Sequence, residues 1–353
     1  LLVDRPGWSE GQAWLARSRW MSGDPAPLRD LDAALLRQPS AGELWRLRIM
    51  LAMQAGDFAE ALAVLDRADA AIGPAPLWLA HRAACLDELG RTRAAAAAFA
   101  ALGPPGEVGS AVRLARHLLR RGEAKGAAAA LERWLGGDDA RHVWPYLALA
   151  WRLAGDRRAA WLDGDPRLTG VYDLAPDDVA AIAGRLRGLH TARRQPIDQS
   201  LRGGTQTGGY LFARLEPEYR ALRRAVVAAV EAHVAALPPR DPFHPVLRMR
   251  RDAPVRFSGA WSVRLGDGGY HASHVHPAGW FSSALYLAVP EGEPGDLVLG
   301  QPEPELGLDL PPLRTIAPRP GRLVLFPSML WHGTRPFAAG ERLTVAFDVA
   351  PPP

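Results

Sequence analysis

Through the first 160 or so residues, apolar positions recur at helical spacing in stretches that each end at a glycine. Gly23, Gly56, Gly90, Gly122 and Gly155 close these stretches at intervals of 33, 34, 32 and 33 residues, and each is followed by a charged residue: Asp24, Asp57, Arg91, Glu123 or Asp156. In most copies an alanine-rich run comes next, as in Ala59 to Leu65, Ala94 to Phe99 and Ala127 to Leu131. The predicted unit is helix, glycine turn, helix. Glycine suits the turn because leaving a helix often needs the left-handed backbone conformation, and small alanines let neighbouring helices approach closely. Beyond this region a helix is predicted from Pro176 to Leu189. Another is predicted between Glu216 and Leu237, where Leu222, Val226, Val227, Val230 and Val234 fall at helical spacing. From about Val255 the pattern shortens to β segments separated by Gly and Pro: Trp261 to Leu265, Ser282 to Val289, Asp296 to Leu299, Arg322 to Phe326 and Arg342 to Val349. Several short strands so spaced predict a sandwich or barrel, with the preceding helices bracing one outer face.

The period and layout of the first region resemble tetratricopeptide repeats, whose unit is about 34 residues. The likeness runs from about residue 10 to residue 162. It implies a concave groove for a peptide or partner protein, against the plainer reading of a helical platform that packs on the next domain or makes a dimer. A chain of 353 residues is long for one core, so more than one domain is expected. The expected division is a helical repeat domain over 1–165, a connector over 166–200 and a strand-rich domain over 201–353. The fold class is accordingly α+β multidomain: a tetratricopeptide-like helical array, then a double-stranded β-helix of the jelly-roll or cupin-like kind with supporting helices.

Composition trims the possibilities. Cys85 is the only cysteine, which excludes an intrachain disulfide and a thiolate metal cluster within the chain, and fits a reducing cytoplasm. No run of about 18 apolar residues suggests a membrane span. From the cysteine usage a cytoplasmic location is expected. The net charge of +4 comes almost wholly from arginine, since Lys125 is the only lysine among 42 basic residues. Those residues are scattered among acids with no cluster interleaved with aromatics, so nucleic acid is not an expected partner.

The chemistry gathers in the strand-rich region. Five of the ten histidines lie between residues 244 and 332, and three of them fall in the segment Gly268-Gly-Tyr-His-Ala-Ser-His-Val-His-Pro277. Side chains two apart in an extended backbone point the same way, so His274 and His276 can face one point while His271 is out of phase. His332 follows the strand Arg322-Leu-Val-Leu-Phe-Pro327, and Arg342 opens the last strand ten residues later. Imidazoles are good ligands for iron, which needs a firm hold and open positions on one face to activate oxygen. Three protein ligands leave room for a chelating 2-oxo acid and O2, and arginine offers a planar fork for the far carboxylate of that acid. Arg264, ten residues before His274, is a second candidate for contact with the co-substrate. His271, His244 and His233 are expected to be structural. Trp261, Trp280 and Trp331 are expected as core or pocket walls. Gly203-Gly204 is expected as a turn and not a phosphate loop, because no lysine of the P-loop pattern follows.

His274-Val-His276-Pro, Ser283-Ala-Leu-Tyr286, Pro320-Gly-Arg-Leu-Val-Leu-Phe-Pro327, His332 and Arg342-Leu-Thr-Val-Ala-Phe-Asp348 together resemble the 2-oxoglutarate/Fe(II)-dependent oxygenase superfamily. Within it they look most like bacterial members with N-terminal tetratricopeptide repeats and an H-x-H-P motif, a group that Leu201-Arg-Gly-Gly-Thr-Gln-Thr207 also resembles. The likeness covers roughly residues 200–350. It implies a hydroxylase that uses Fe(II), 2-oxoglutarate and O2, with His274 and His332 as iron ligands and Arg342 on the 5-carboxylate. Most of the superfamily has H-x-D or H-x-E where this chain has His276. Either His276 binds, giving a three-histidine site, or two histidines and water hold the metal. Fusion to a repeat array implies a peptide or protein substrate, at a prolyl, aspartyl or asparaginyl side chain. Three other readings stay open: a three-histidine cupin-like dioxygenase without 2-oxoglutarate, a non-catalytic scaffold with a degenerate jelly roll, and a zinc hydrolase, for which no paired general base stands beside the histidines.

Overall fold

Each periodic glycine sits between two helices in a computed structural model that describes residues 4–174, 176–208 and 210–353. Helices α1 (Ser9–Met21) and α2 (Arg29–Arg37) flank Gly23, and α3 (Gly42–Gln54) and α4 (Phe58–Ile72) flank Gly56. Helices α5 (Pro76–Glu88) and α6 (Thr92–Leu102) flank Gly90, α7 (Val108–Arg120) and α8 (Ala124–Glu132) flank Gly122, and α9 (Ala140–Leu153) and α10 (Arg158–Asp163) flank Gly155. All five glycines have φ between 66° and 81°, the left-handed region that ends a helix without steric cost to glycine. The charged residue that follows contributes at Asp57, whose side chain accepts from the Glu60 N–H and caps α4.

The chain forms two compact units. The first comprises residues 1–117 with 192–199. Its core is built from Leu31, Leu44, Ile49, Leu65 and Trp78, with Ile197 packed against it. Ala83, Ala95 and Ala98 close around Phe99, so the alanine-rich runs serve close helix approach. The second unit comprises residues 118–191 with 200–353, and the division falls inside α7.

The second unit adds α11 (Pro176–Arg187) and α12 (Pro217–Ala236) to α8–α10 and contains the strands. These are β1 (Gly170–Asp173), β2 (Leu201–Gln206), β3 (Phe257–His271), β4 (Phe281–Ala288), β5 (Leu297–Leu299), β6 (Arg314–Ile316), β7 (Arg322–Pro327), β8 (His332–Thr334) and β9 (Arg342–Val349). They form two antiparallel sheets, ordered β1-β7-β4-β9-β3-β2 and β6-β5-β8. Alternation along the strands sorts the side chains of the large sheet. Tyr286, Val324 and Phe326 face the small sheet and pack on Leu297, Leu299 and Ile316. On the opposite face Phe281 meets His233 of α12 at 4.8 Å between ring centroids, and Phe347 meets Phe212 at 5.7 Å. Helix α12 thus braces the outer face and leaves the inter-sheet face for chemistry.

Two expectations change here. β1, paired with β7, comes from the segment read as connector. Gly203 and Gly204 do not make a turn: they lie within β2, where Gly203 has φ +72° and the pairing with β3 slips between Arg202 and Gly204. Such a bulge needs a backbone that glycine allows. A Cβ on Gly204 would also meet the Arg264 carbonyl oxygen within van der Waals contact. Among the described residues, no helix is long and apolar enough to cross a membrane.

Candidate metal centre

His274, His276 and His332 converge. One ring nitrogen from each lies within 4.8 Å of the others, and among the described residues this is the one such group of potential metal donors. Ring centroids are 4.2 Å apart for His274 and His332, 4.9 Å for His274 and His276, and 5.2 Å for His276 and His332. The backbone sets this spacing. His274 and His332 exchange both N–H···O bonds, at 2.9 and 3.0 Å, as an isolated antiparallel bridge. The His276 N–H donates to Ser328 O at 2.8 Å.

Each ring is also oriented through its Nδ1. That of His274 lies 2.9 Å from Ala272 O, that of His332 lies 2.9 Å from Leu330 O, and that of His276 lies 2.8 and 2.7 Å from the two Asp348 carboxylate oxygens. A carbonyl or carboxylate can only accept, so each Nδ1 carries a proton, and in a neutral ring the lone pair is then on Nε2. Three imidazoles anchored through Nδ1 form a donor set fitted to a divalent first-row metal. Burial holds His274 and His332 well below the ordinary histidine range, and the neighbouring imidazoles push the same way. Both stay neutral, as metal ligation requires.

Beside the cluster is a buried cation. Arg342 is 1% exposed, and among the described residues no carboxylate pairs with it. Its guanidinium donates to Gly295 O at 2.7 Å, Pro294 O at 3.2 Å and Thr334 Oγ1 at 2.6 Å, and it lies 5.2 Å from the Phe337 ring centroid. Thr334 is two residues from His332 on β8, so both side chains project from one face of that strand. Burial lowers the pKa of Arg342 from its ordinary value. The Tyr286 hydroxyl is buried with no hydrogen-bond partner among the described residues, and its pKa is pushed up to about 12 by burial. An unpaired buried cation and an orphaned hydroxyl are costly unless an anion completes them.

Arg264 is not brought to this group. In the β3–β9 register Leu265 pairs with Arg342 and Arg264 with Leu343, which puts Arg264 on the opposite face of the sheet. There it is exposed, and its Nε donates to Glu341 at 2.7 Å. His271 lies outside the three-nitrogen set, although its ring stacks on His274 at 6.0 Å and its Nδ1 is 3.2 Å from Ser200 Oγ. Desolvation lowers its pKa to about 3, with the Arg342 charge acting in the same direction. His244 is wholly buried, donating to Leu162 O and accepting from the Val246 and Leu247 N–H groups. His233 bonds the Tyr172 hydroxyl. Trp261 borders the site, 5.8 Å from His276 between ring centroids, whereas Trp280 and Trp331 are buried with their indole N–H groups on the carbonyls of Val246 and Pro145. Sequence reasoning assigned no role to Asp348, Tyr286, Thr334 or Ser200, whose hydroxyl lies 3.2 Å from His274 Nε2. The available signal was the polar alternation Arg342, Thr344, Asp348 in an otherwise apolar strand.

Residues 259–348 match a family model described as "Putative 2OG-Fe(II) oxygenase". No curated protein matches the chain in sequence. Among solved structures, a Pseudomonas putida prolyl-4-hydroxylase is similar at 17% identity and a TM-score of 0.36, over 52% of this chain and 93% of that one. HygX from Streptomyces hygroscopicus, solved with nickel and 2-oxoglutarate, is similar at 16% identity and 0.34, over 52% and 82%. PilW, a type IV pilus biogenesis factor, is similar at 16% identity and 0.36, over 45% and 76%. Likenesses at this level carry no argument about activity. The family match encloses all three histidines and Arg342, so the segment that builds the site is similar to the 2OG-Fe(II) oxygenases, whose metal is iron(II) and whose co-substrate is 2-oxoglutarate.

Proposed function

We propose that the chain is a 2-oxoglutarate- and Fe(II)-dependent dioxygenase that hydroxylates a peptide or protein side chain. The observation that carries this reading is a cluster of three Nε2 lone pairs beside a buried arginine that has no anionic partner among the described residues. His274, His276 and His332 would hold the iron. Bound iron(II) supplies the place where O2 and the 2-oxo acid meet, coupling oxidative decarboxylation to succinate and CO2 with insertion of one oxygen atom into a substrate C–H bond. The protein positions the reactants and keeps water out. Arg342 and the Tyr286 hydroxyl would take the 5-carboxylate, which supplies the charge and the acceptor that these two groups lack.

A groove of about 320 Å³ supports an extended substrate. Its lining includes Pro277 and Met329, the sequence neighbours of His276 and Ser328, with Trp280, Arg141, Trp144 and Arg248. Arg141 and Trp144 belong to α9, the first helix of the last glycine-turn pair. In this proposal the strands, β1 from 166–200 included, form the jelly roll, and the helix pairs of 1–165 are a tetratricopeptide-like array that recruits the substrate. A prolyl, aspartyl or asparaginyl side chain would be the acceptor.

The test is anaerobic. Fe(II) is added to metal-free protein, then 2-oxoglutarate, and the visible spectrum is followed. A weak charge-transfer band that needs both additions is the expected result. Iron binding without the band would favour the three-histidine dioxygenase that uses no 2-oxoglutarate, and no iron binding would favour the scaffold. Hydroxylation of a free small molecule, with peptides and proteins untouched, would overturn the substrate class.

A further inference from the structure

The three histidines differ in what holds them. His274 and His332 rest on backbone carbonyls, but both oxygens of the Asp348 carboxylate lie within 2.8 Å of His276 Nδ1. Asp348 is itself fixed. Ser282 Oγ donates to its Oδ1 at 2.6 Å, and Ser282 Oγ lies 2.9 Å from the buried Ser328 Oγ. A hydroxyl has one proton and a carboxylate only accepts, so Ser282 donates to Asp348 and receives from Ser328. Ser328 O accepts the His276 backbone N–H, so the ring and the backbone of His276 are anchored to the same small network. Close packing keeps it in place: a Cβ on Gly279 would fall 3.0 Å from Ser328 Cβ and 3.4 Å from Asp348 Cβ.

We infer that Asp348 is the positioning residue of the metal centre, holding His276 with its lone pair on the shared point and supplying, one bond removed, the negative charge that the all-histidine ligand set lacks. The inference rests on the metal-site reading above. Three neutral ligands leave a divalent metal less compensated than two histidines and a carboxylate would. A carboxylate accepting the Nδ1–H makes the opposite nitrogen a stronger donor and fixes its direction. The register explains why this falls to Asp348: β9 pairs with β4 so that Asp348 stands opposite Ser282, next to the turn that carries His276.

The test titrates the full metal-free chain with Co(II) alone, which reports binding through its visible spectrum without turnover, for wild type, Asp348→Asn, His276→Asn and the double variant. Loss of a partner of this kind typically lowers metal affinity by about 10- to 100-fold, and that loss is expected for Asp348→Asn. In the His276→Asn background the second change should cost no more than about twofold, because Asp348 acts through the ring. Proton NMR of the metal-free protein adds a readout independent of the metal: a downfield Nδ1–H resonance of His276 in wild type that Asp348→Asn removes. If wild type binds Co(II) and Asp348→Asn binds it equally well, the inference fails while the metal site stands. Equal losses from Asp348→Asn with and without His276 would make Asp348 merely structural, and absence of Co(II) binding by wild type would overturn the metal reading and this inference together.

Discussion

Arg342 offers the most direct test, because the co-substrate complex depends on it far more than the metal-free protein does. Arg342→Met keeps an unbranched side chain of similar reach and removes the charge. In the free protein the guanidinium makes three hydrogen bonds to neutral acceptors, each with a net contribution of about 1 kcal/mol. Against these stands the desolvation of an unpaired buried cation, several kcal/mol after relaxation. The two nearly offset, so the variant should unfold within about 2 kcal/mol of wild type, in either direction. The complex is different. Removing one partner from a buried, hydrogen-bonded charge pair typically costs about 2–5 kcal/mol. At about 1.4 kcal/mol per decade that is a loss of roughly 30-fold to several thousand-fold in 2-oxoglutarate affinity. Calorimetry of 2-oxoglutarate binding to Co(II)-loaded protein, alongside urea unfolding of the metal-free protein, measures both quantities. Arg342→Lys should recover only part of the affinity, since it restores charge without the planar fork. If Arg342→Met loads with metal and binds 2-oxoglutarate within about threefold of wild type, Arg342 is not the carboxylate clamp.

The same assays check three further expectations. Tyr286→Phe should leave the metal-free protein as stable as wild type or slightly more so, because the lost hydroxyl has no partner there, and should weaken 2-oxoglutarate about 10- to 100-fold, the worth of a hydrogen bond to a charged group; unchanged affinity would remove Tyr286 from the site. Arg264→Ala should change stability by less than about 0.5 kcal/mol and leave 2-oxoglutarate binding alone, because its exposed ion pair with Glu341 lies on the other face of the sheet; weaker binding would reinstate it as a site residue. Burial holds His233 at about 4, below its ordinary 6.5. Its contribution to stability is therefore complete above pH 6.5 and is lost as pH falls toward 4, at up to about 1.4 kcal/mol per pH unit. Stability measured between pH 6.5 and 4.5 should fall less steeply for His233→Gln than for wild type, and parallel curves would show that His233 does not titrate differently on folding.

What the sequence made legible, and what it did not, divides along local and non-local lines. The five glycine turns could be read because each rests on one residue and its backbone conformation, and every one has a positive φ. Five of the nine strands among the described residues could be read because they carry runs of apolar residues. The four that were not are β1, β2, β6 and β8, none longer than six residues. They are short and carry few apolar residues, so no local period announces them. Gly203 and Gly204 misled because glycine reports that the backbone needs freedom, and a bulge and a turn need it alike. Arg264 misled through register, because a one-residue offset along β3 carries a side chain from the inter-sheet face to the helix-covered one. The three clustered histidines escaped that difficulty, since two of them share one extended segment and cannot be separated by register.

The last strand shows how one period can carry both fold and chemistry. Along β9, Leu343, Val345, Phe347 and Val349 are all almost wholly buried, and their alternation is what makes the segment a central strand. The intervening positions are Arg342, Thr344, Ala346 and Asp348. A polar residue facing water on every second position would mark a sheet with one solvated face. Here Arg342 is 1% exposed and Thr344 9%, so that face is not solvated, and its polar groups need partners inside the protein. Asp348 finds the Nδ1–H of His276 and Arg342 finds only neutral acceptors. Six residues apart on an extended strand, their backbone positions stand about 20 Å from each other, near its opposite ends. In the proposed site the two side chains therefore have separate parts, the anion setting a metal ligand and the cation awaiting a carboxylate. The apolar half of the alternation holds the strand in the sheet, and the polar half equips the face turned toward the histidines.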